Sequence, residues 1–241
     1  TVVIAPGTYT ITTTLTPKAG MKFVSAVPAG AISNVIIAGA VADMITLDAI
    51  NVSFHNIEIK ATGAAANNLV DIADGAAATG AGFYGCVFNG DDQTSVVGIQ
   101  ADDGTFASTG LAVMNCLFRD LTGTCLDIGV LGIPYANISR NKFAIDVNTG
   151  VGIALADTSA FATGKGYNIS ENLFTGFDST ADEVGITIAG TENTTGAGII
   201  NDNRFAYLAA AAITIDKLSL SEVQNYYGDA ATGGTLVDPG T

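Results

Sequence analysis

The chain has 241 residues, of which 48% are apolar and 13% are charged, whereas an average soluble protein carries about 25% charged residues. This balance excludes an intrinsically disordered chain, which is rich in charge and poor in apolar side chains. Nine Lys and Arg against 23 Asp and Glu give a net charge of −14, which argues against a nucleic-acid partner because phosphate binding needs clustered basic residues.

The opening of the chain has no membrane-spanning pattern. The uncharged run 23–42 is interrupted by Pro28, Ser33 and Asn34, whereas a spanning helix needs about 20 predominantly apolar residues. The chain begins at Thr1 without Met or a basic leader, so we expect a segment processed or excised from a longer protein. We predict no membrane insertion.

A short segment recurs along the chain, with Cys or Asn, then any residue, then Phe. Its copies are YGCVFNG at 84–90, MNCLFRD at 114–120, SRNKFAI at 139–145, SENLFTG at 170–176 and NDNRFAY at 201–207. Residues 224–229 resemble a sixth copy with Tyr227 in the Phe position, and residues 54–59 a degenerate one. The complete copies begin 25–31 residues apart, and a repeat of this length indicates a repeat architecture.

A second repeat follows the first by roughly ten residues, and its pattern is apolar–any–apolar. Its copies lie at 45–48, 70–74, 99–102, 126–129, 153–157, 186–190 and 213–216. Alternation of this kind is typical of a strand with one buried face. The two repeats share one period, so each period holds two or three short strands joined by turns.

These periods predict an all-β fold, a single right-handed parallel β-helix of seven or eight rungs over residues 1–229. Leucine-rich repeats need a consensus that is absent here, and propeller blades need about 40 or more residues. The segment 219–227 is a short helix candidate that competes with the repeat. Residues 230–241 abandon the repeat and are predicted to form an extended C-terminal tail.

The Cys or Asn position of the first repeat has a structural interpretation. It holds Cys86, Cys116, Asn141, Asn172 and Asn203. An Asn at a tight turn can adopt the left-handed conformation, and its amide can bond the rungs above and below. We predict an asparagine ladder in which both cysteines are small apolar substitutes, inward-facing and without metal.

The opening residues 1–26, with PGTY at 6–9, a Thr-rich strand and a Gly turn, resemble the first rung of pectate-lyase-like right-handed β-helices. The Asn-x-Phe rungs are similar to the same superfamily, over about residues 1–229. That group includes polysaccharide lyases, glycoside hydrolases and the spike proteins of tailed viruses. The resemblance implies the fold, while the scaffold carries many activities.

The middle residues of the second repeat should form one column facing solvent. They are Thr46, Asp71, Gln100, Asp127, Ala154, Thr187 and Thr214. Asp71 and Asp127 are two rungs apart, which puts about 9–10 Å between their backbones, near the upper end of the carboxyl separation of inverting glycosidases. If the protein is an enzyme, Asp71 and Asp127 with Gln100 are its catalytic candidates. Exposed strands of an acidic protein also carry Asp and Thr for solvation alone.

Lyases of the resembled group use calcium and a basic residue. Asp91, Asp92, Asp102 and Asp103 could supply the carboxylate oxygens that calcium prefers. The basic residues do not fall beside the Asp column, so the sequence lacks a lyase constellation. His55 is interpreted as a surface or packing histidine. We expect no cofactor, with calcium as the open alternative.

Two functions remain open. The first is a non-enzymatic structural or glycan-recognition module of a virion appendage or decoration, such as a tailspike, fibre or capsid decoration protein, or of a surface adhesin. It would be extracellular or on a virion surface, and would assemble with copies of itself, as a homotrimer, or with other structural subunits. The alternative is a glycan-cleaving enzyme. Tyr84 or Tyr135 beside the Asp column would favour glycan binding there.

Overall fold

The structure is a computed structural model of the 241-residue chain. It describes residues 1–26, 35–63, 67–72, 79–94, 96–101, 110–128, 135–145, 150–157, 167–176, 183–190, 198–206, 208, 213–215, 220–223 and 226–227. Within these residues the chain forms 25 strands and no helix. The predicted tail at 230–241 lies outside the described residues, as do Asp102 and Asp103.

The strands form three parallel sheets, which we name A, B and C. Sheet A contains β1 (Val2–Ile4), β3 (Lys22–Ser25), β6 (Ser53–His55), β9 (Gly82–Tyr84), β12 (Ala112–Met114), β15 (Asn137–Ser139), β18 (Asn168–Ser170), β21 (Gly198–Asn201) and β24 (Leu220–Val223). Sheet B contains β2 (Gly7–Ile11), β4 (Val35–Gly39), β7 (Glu58–Ala61), β10 (Val87–Asn89), β13 (Leu117–Arg119), β16 (Lys142–Ile145), β19 (Leu173–Gly176), β22 (Arg204–Ala206) and β25 (Tyr226–Tyr227). Sheet C contains β5 (Asp43–Leu47), β8 (Asn68–Ile72), β11 (Val97–Ala101), β14 (Leu126–Ile128), β17 (Val151–Asp157), β20 (Val184–Gly190) and β23 (Ile213–Ile215).

The order of strands within each sheet makes the fold a parallel β-solenoid. Successive neighbours in a sheet are about three strands apart in sequence, so the chain visits A, B and C in turn before it returns to A. This confirms the predicted all-β parallel coil. The right-handed sense is the one that parallel crossover connections generally adopt. Residues 219–227, the helix candidate, contribute β24 and β25 instead.

The number of rungs differs slightly from the predicted seven or eight. Sheet C holds seven described strands, one for each copy of the second repeat, whereas sheets A and B hold nine. The difference arises because β1 to β4 contain no copy of either repeat. A rung count based on the repeats therefore left these strands out. Their pairing still continues both sheets, since β1 pairs with β3 and β2 with β4.

The core consists of like residues stacked on like. The first apolar residues of the second repeat are consecutive register partners in sheet C and are buried: Ile45, Val70, Ile99, Leu126, Ile153, Ile186 and Ile213. In sheet B the rings of Phe88, Phe118, Phe143, Phe174 and Phe205 stack with centroids 4.6–4.9 Å apart. Each stack follows from the strand spacing, because equivalent residues of neighbouring rungs lie about 4.8 Å apart.

The predicted asparagine ladder is present at the bend between sheets A and B. Asn141 Nδ2 donates to Asn172 Oδ1 at 3.0 Å, and Asn172 Nδ2 donates to Asn203 Oδ1 at 2.9 Å. Each of the three amides also donates to a backbone carbonyl of the sheet A strand in the preceding rung at 2.9 Å. The ladder therefore satisfies buried polar groups that would otherwise destabilise the fold.

The left-handed residue of this bend precedes the ladder, so the prediction that the Asn itself adopts that conformation was wrong. Backbone φ is 59° at Arg140, 57° at Glu171 and 55° at Asp202, the residues just before Asn141, Asn172 and Asn203. The turn is made by the exposed or half-buried residue before the ladder. This leaves the asparagine free to point into the coil.

Candidate functional site

The Asp column predicted from the second repeat exists as an unbroken series of register partners in sheet C. Asp71 pairs with Thr46 on one side and with Gln100 on the other, and Gln100 pairs with Asp127. The three polar side chains are half-buried, between neighbours on the same strands that face the core. Two rungs separate the Asp71 and Asp127 backbones, which is about 9–10 Å on the usual strand spacing.

The aromatic residues that would favour a glycan site at this column lie elsewhere. Tyr84 belongs to β9 of sheet A, and its register partners are His55 and Met114. Tyr135 lies just before β15, also in sheet A, with 61% of its surface exposed. The structure therefore does not bring either tyrosine into the rungs of sheet C that hold Asp71 and Asp127.

Two of the four calcium candidates are described, and they lie at the turn that follows β10. Asp91 Oδ1 is 2.7 Å from Lys60 Nζ, and Asp91 N–H donates to Asn89 Oδ1 at 2.9 Å. Asp92 is exposed at the same turn. In the described part of the chain no three His, Cys, Asp or Glu side chains form a group suited to a metal ion. Asp91 is thus engaged by a lysine.

A buried carboxylate that the sequence reasoning missed lies on the outer side of sheet B. Glu58 is 7% exposed, and its Oε1 accepts from Asn89 Nδ2 at 2.8 Å and from Arg119 at 3.2 Å. These three residues belong to three successive strands, β7, β10 and β13. The contacts pin neighbouring rungs together, and each accepting carboxylate bond is charge-assisted. The sequence held an indication of this polar cluster, because one outward position of the repeat is polar in three successive copies: Lys60, Asn89 and Arg119.

A second cluster of polar residues lies around His55 on the outer face of sheet A. His55 Nε2 is 3.1 Å from Ser53 Oγ, and the imidazole stacks on the Tyr84 ring with centroids 4.7 Å apart. Lys22 is the register partner of Ser53. Burial, and then the charge of Lys22, lower the pKa of His55 from its ordinary 6.5. The prediction of a surface or packing histidine is met by the stacking, while its contact with a hydroxyl was not foreseen.

The cysteines are buried and reduced. Cys86 and Cys116 are 1% and 3% exposed and precede register partners on β10 and β13, and Cys125 is 1% exposed. Burial raises the pKa of Cys116 well above 9.0, with a further contribution from the Cys86 thiol. Burial also raises the pKa of Cys125 to about 12. Neutral buried thiols such as those of Cys116 and Cys125 are poor nucleophiles and poor metal ligands, which is the behaviour of structural cysteines. Burial alone would raise the pKa of Cys86 too, but hydrogen bonds from the Cys116 thiol and from backbone groups outweigh burial and lower it.

Comparison of the chain with protein-family models, with curated proteins and with solved structures finds no match in any of the three. The class of protein is therefore defined by the fold itself, a parallel β-solenoid with an Asp–Gln–Asp column on one face. Among the described residues, no helix has the length and apolar character needed to cross a membrane.

Proposed function

We propose that the chain is a structural or glycan-recognition module of the pectate-lyase-like right-handed β-helix type, and that it is non-enzymatic toward the glycan it binds. It works within a virion appendage or decoration, or within a surface adhesin, at the outside of a cell or particle. The observation that carries this proposal is the column Asp71–Gln100–Asp127, which presents polar groups at one spacing on a rigid sheet. A fixed polar row on a stacked scaffold suits recognition of a repeating ligand.

The chemistry of the column fits sugar hydroxyl groups. Ionised carboxylates accept hydrogen bonds, and the Gln100 amide both donates and accepts. Thr46 and Thr187 extend the same column with hydroxyl groups on outer rungs. The net charge of −14 favours neutral glycans over polyanionic ones, because like charges repel within a Debye length of the surface.

The test is binding of the purified chain to an array of neutral oligosaccharides, followed by calorimetry on each hit. The double variant Asp71→Asn and Asp127→Asn should lose binding, because it removes both carboxylates and keeps their shape. Asp92→Asn is the matched control, since it removes one exposed carboxylate at a turn after sheet B and suits the left-handed backbone there. Equal binding by the double variant would place glycan recognition elsewhere on this protein, and the absence of any hit on the array would contradict glycan recognition altogether.

The alternative, an inverting glycan hydrolase, is supported by the two-rung separation of the carboxyl groups. In such an enzyme one carboxylic acid protonates the leaving oxygen, and the other carboxylate takes a proton from the attacking water. The discriminating measurement is the release of reducing ends from any glycan that binds. Release that is lost in Asp71→Asn and in Asp127→Asn separately would establish the enzyme, and binding without release would establish recognition alone.

Assembly with copies of itself, as a homotrimer, or with other structural subunits belongs to the same proposal. It is supported by the exposure of β1 and β2, where Val2, Val3 and Tyr9 are 37%, 67% and 42% exposed. Exposed strand edges invite pairing with another chain.

A further inference from the structure

Ser53 and His55 are arranged as a nucleophile and a base. They lie two residues apart on β6, so their side chains leave the same face of sheet A. Ser53 Oγ and His55 Nε2 are 3.1 Å apart, which is within the hydrogen-bond reach that a serine nucleophile and its activating histidine require. Both residues are half-buried and reach solvent.

The imidazole is held in place by the next rung. The Tyr84 ring stacks on His55 with 4.7 Å between centroids and 16° between planes. Gly82, the register partner of Ser53, makes this possible, because a Cβ at that position would come within 2.6 Å of Tyr84 Cε2. The tyrosine ring therefore folds along its strand over Gly82, as His55 folds along β6 toward Ser53. Tyr84 is in this sense a positioning residue.

The charges around the pair favour a neutral imidazole. Lys22, which is exposed on β3, and Tyr84 on β9 are the charged or titratable groups on the described strands that flank His55 in sheet A. The lowered pKa of His55 favours the uncharged ring, and in the tautomer that carries its hydrogen on Nδ1 the Nε2 atom can accept the Ser53 proton. The Lys22 cation lies on the rung beside Ser53, where it can stabilise negative charge on an oxygen formed there.

We propose that Ser53 and His55 form a catalytic dyad that hydrolyses carboxylic esters, an activity that is separate from glycan recognition. Ser53 Oγ attacks the ester carbonyl carbon while its proton passes to His55 Nε2. The tetrahedral intermediate expels the alkoxide, which takes that proton and leaves as the alcohol, with the acyl group on Ser53. Water then attacks the acyl carbon and gives a proton to His55, and collapse returns the proton to Ser53 and releases the carboxylic acid.

The test uses the full chain, with a fluorophosphonate as the labelling probe and p-nitrophenyl acetate as the ester. The label should attach to Ser53, with loss of fluoride, and be found there by peptide mass spectrometry. Ser53→Ala should abolish labelling. His55→Gln keeps a hydrogen-bonding side chain but removes the base, and should slow labelling by about 100-fold or more. Ester cleavage should fall in parallel in both variants.

A control exists on the same face of the same sheet. Asn168 Nδ2 donates to Ser170 Oγ at 3.0 Å, so this serine also lies two residues from its hydrogen-bond partner, here an amide that precedes it, and it is more buried than Ser53, with 7% exposed. Ser170→Ala should leave labelling unchanged. The labelling rate of the wild type should rise with pH as His55 loses its proton, with the midpoint of the rise below 6.5. Lys22→Met should move that midpoint to higher pH, because it removes a positive charge that lowers the pKa of His55. No label on Ser53, or equal labelling of wild type and His55→Gln, would overturn the proposal.

Discussion

Each inward side chain of this coil packs mainly on its equivalents in the rungs above and below. Ile153 is fully buried and pairs with Leu126 on one side and Ile186 on the other. A cavity at such a position is bounded by two rungs whose backbones are held by ladder hydrogen bonds, so it cannot collapse easily. The energetic consequence of truncation should therefore be large at single positions of the ladder.

Ile153→Ala should lower the free energy of unfolding by about 2–5 kcal/mol, through lost transfer free energy and the cavity left behind. Urea unfolding followed by circular dichroism measures this. Ala154→Ser is the control, because its side chain is half-buried on the outer face of the same strand, and its effect should stay within about 0.5 kcal/mol. Equal midpoints for the two variants would show that the ladder is loosely packed there.

The cysteines should behave as inert core residues. All three are buried and free, and the raised pKa values of Cys116 and Cys125 keep these thiols protonated at neutral pH. A thiol reagent should react slowly with the native protein and should count three thiols after denaturation without reductant. A count of one after denaturation would mean that two cysteines form a disulfide, contrary to this expectation.

At the scale of the element, strands of sheet C depend on small residues where the Phe stack approaches them. A Cβ added at Gly152 would lie 2.6 Å from the Gly185 backbone oxygen and 2.7 Å from a carbon of the Phe174 ring. The oxygen belongs to the backbone of the adjoining rung and has little freedom to move. The aromatic stack and the glycine of β17 are thus complementary features of one rung.

Gly152→Ala should destabilise the fold by about 1–3 kcal/mol, as overpacking usually does, although Ala restricts the unfolded chain more than Gly. Thermal unfolding compared with wild type measures the change, and Ala154→Ser again serves as a control that adds one heavy atom to the same strand. A stabilised Gly152→Ala variant would indicate that Phe174 and the rung of Gly185 can yield, contrary to the packing argument.

The elements were predictable to the extent that they repeat. Stacking requires like on like, so Phe118 and Ile153 could be assigned to their ladders from the spacing of their equivalents alone. The left-handed residue at Arg140 was displaced by one position, because the period identifies equivalent residues and not which of two neighbours makes the turn. Tyr84 begins a copy of the first repeat whereas the Asp column belongs to the second repeat, so the spacing already indicated that they lie on different sheets.

The contacts that cross columns were equally hidden. Glu58 meets Arg119 two rungs away, and His55 meets Ser53 along its own strand. Such contacts depend on side-chain rotamers and on which face of the strand points outward. A single sequence specifies these only after the register is known. The fold could therefore be predicted from the spacing of the repeats, whereas the polar clusters around Glu58 and His55 could be seen only in the structure.

At the scale of the whole molecule, the first rung holds three of the six exposed large apolar side chains among the described residues. Val3 is 67% exposed, and along β2 four residues are exposed and the fifth half-buried. Among the described strands, β1 and β2 each have a neighbour on one side only. Their outer edges pair with no other described strand, and an edge of this kind can take a strand of another subunit by β-augmentation.

We predict that the chain associates through this rung, and that association tightens as salt rises. The net charge of −14 makes subunits repel each other, and added salt screens that repulsion over about 10 Å at 0.1 M. Apolar contacts between first rungs are strengthened rather than weakened under these conditions. Sedimentation velocity across a salt series should thus show a shift from monomer toward a larger, defined species, with a trimer as the expected stoichiometry.

A charged substitution separates the first rung from other apolar surfaces. Val3→Asp should keep the protein monomeric at every salt concentration, because it places a carboxylate on the free edge of β1. Ile199→Asp is the matched control, since Ile199 is 50% exposed on β21, far along sheet A from the first rung, and its association should match wild type. If the wild-type chain stays monomeric throughout the series, or if both variants associate equally, the first rung is not the interface and the assembly proposal fails while the glycan proposal stands untouched.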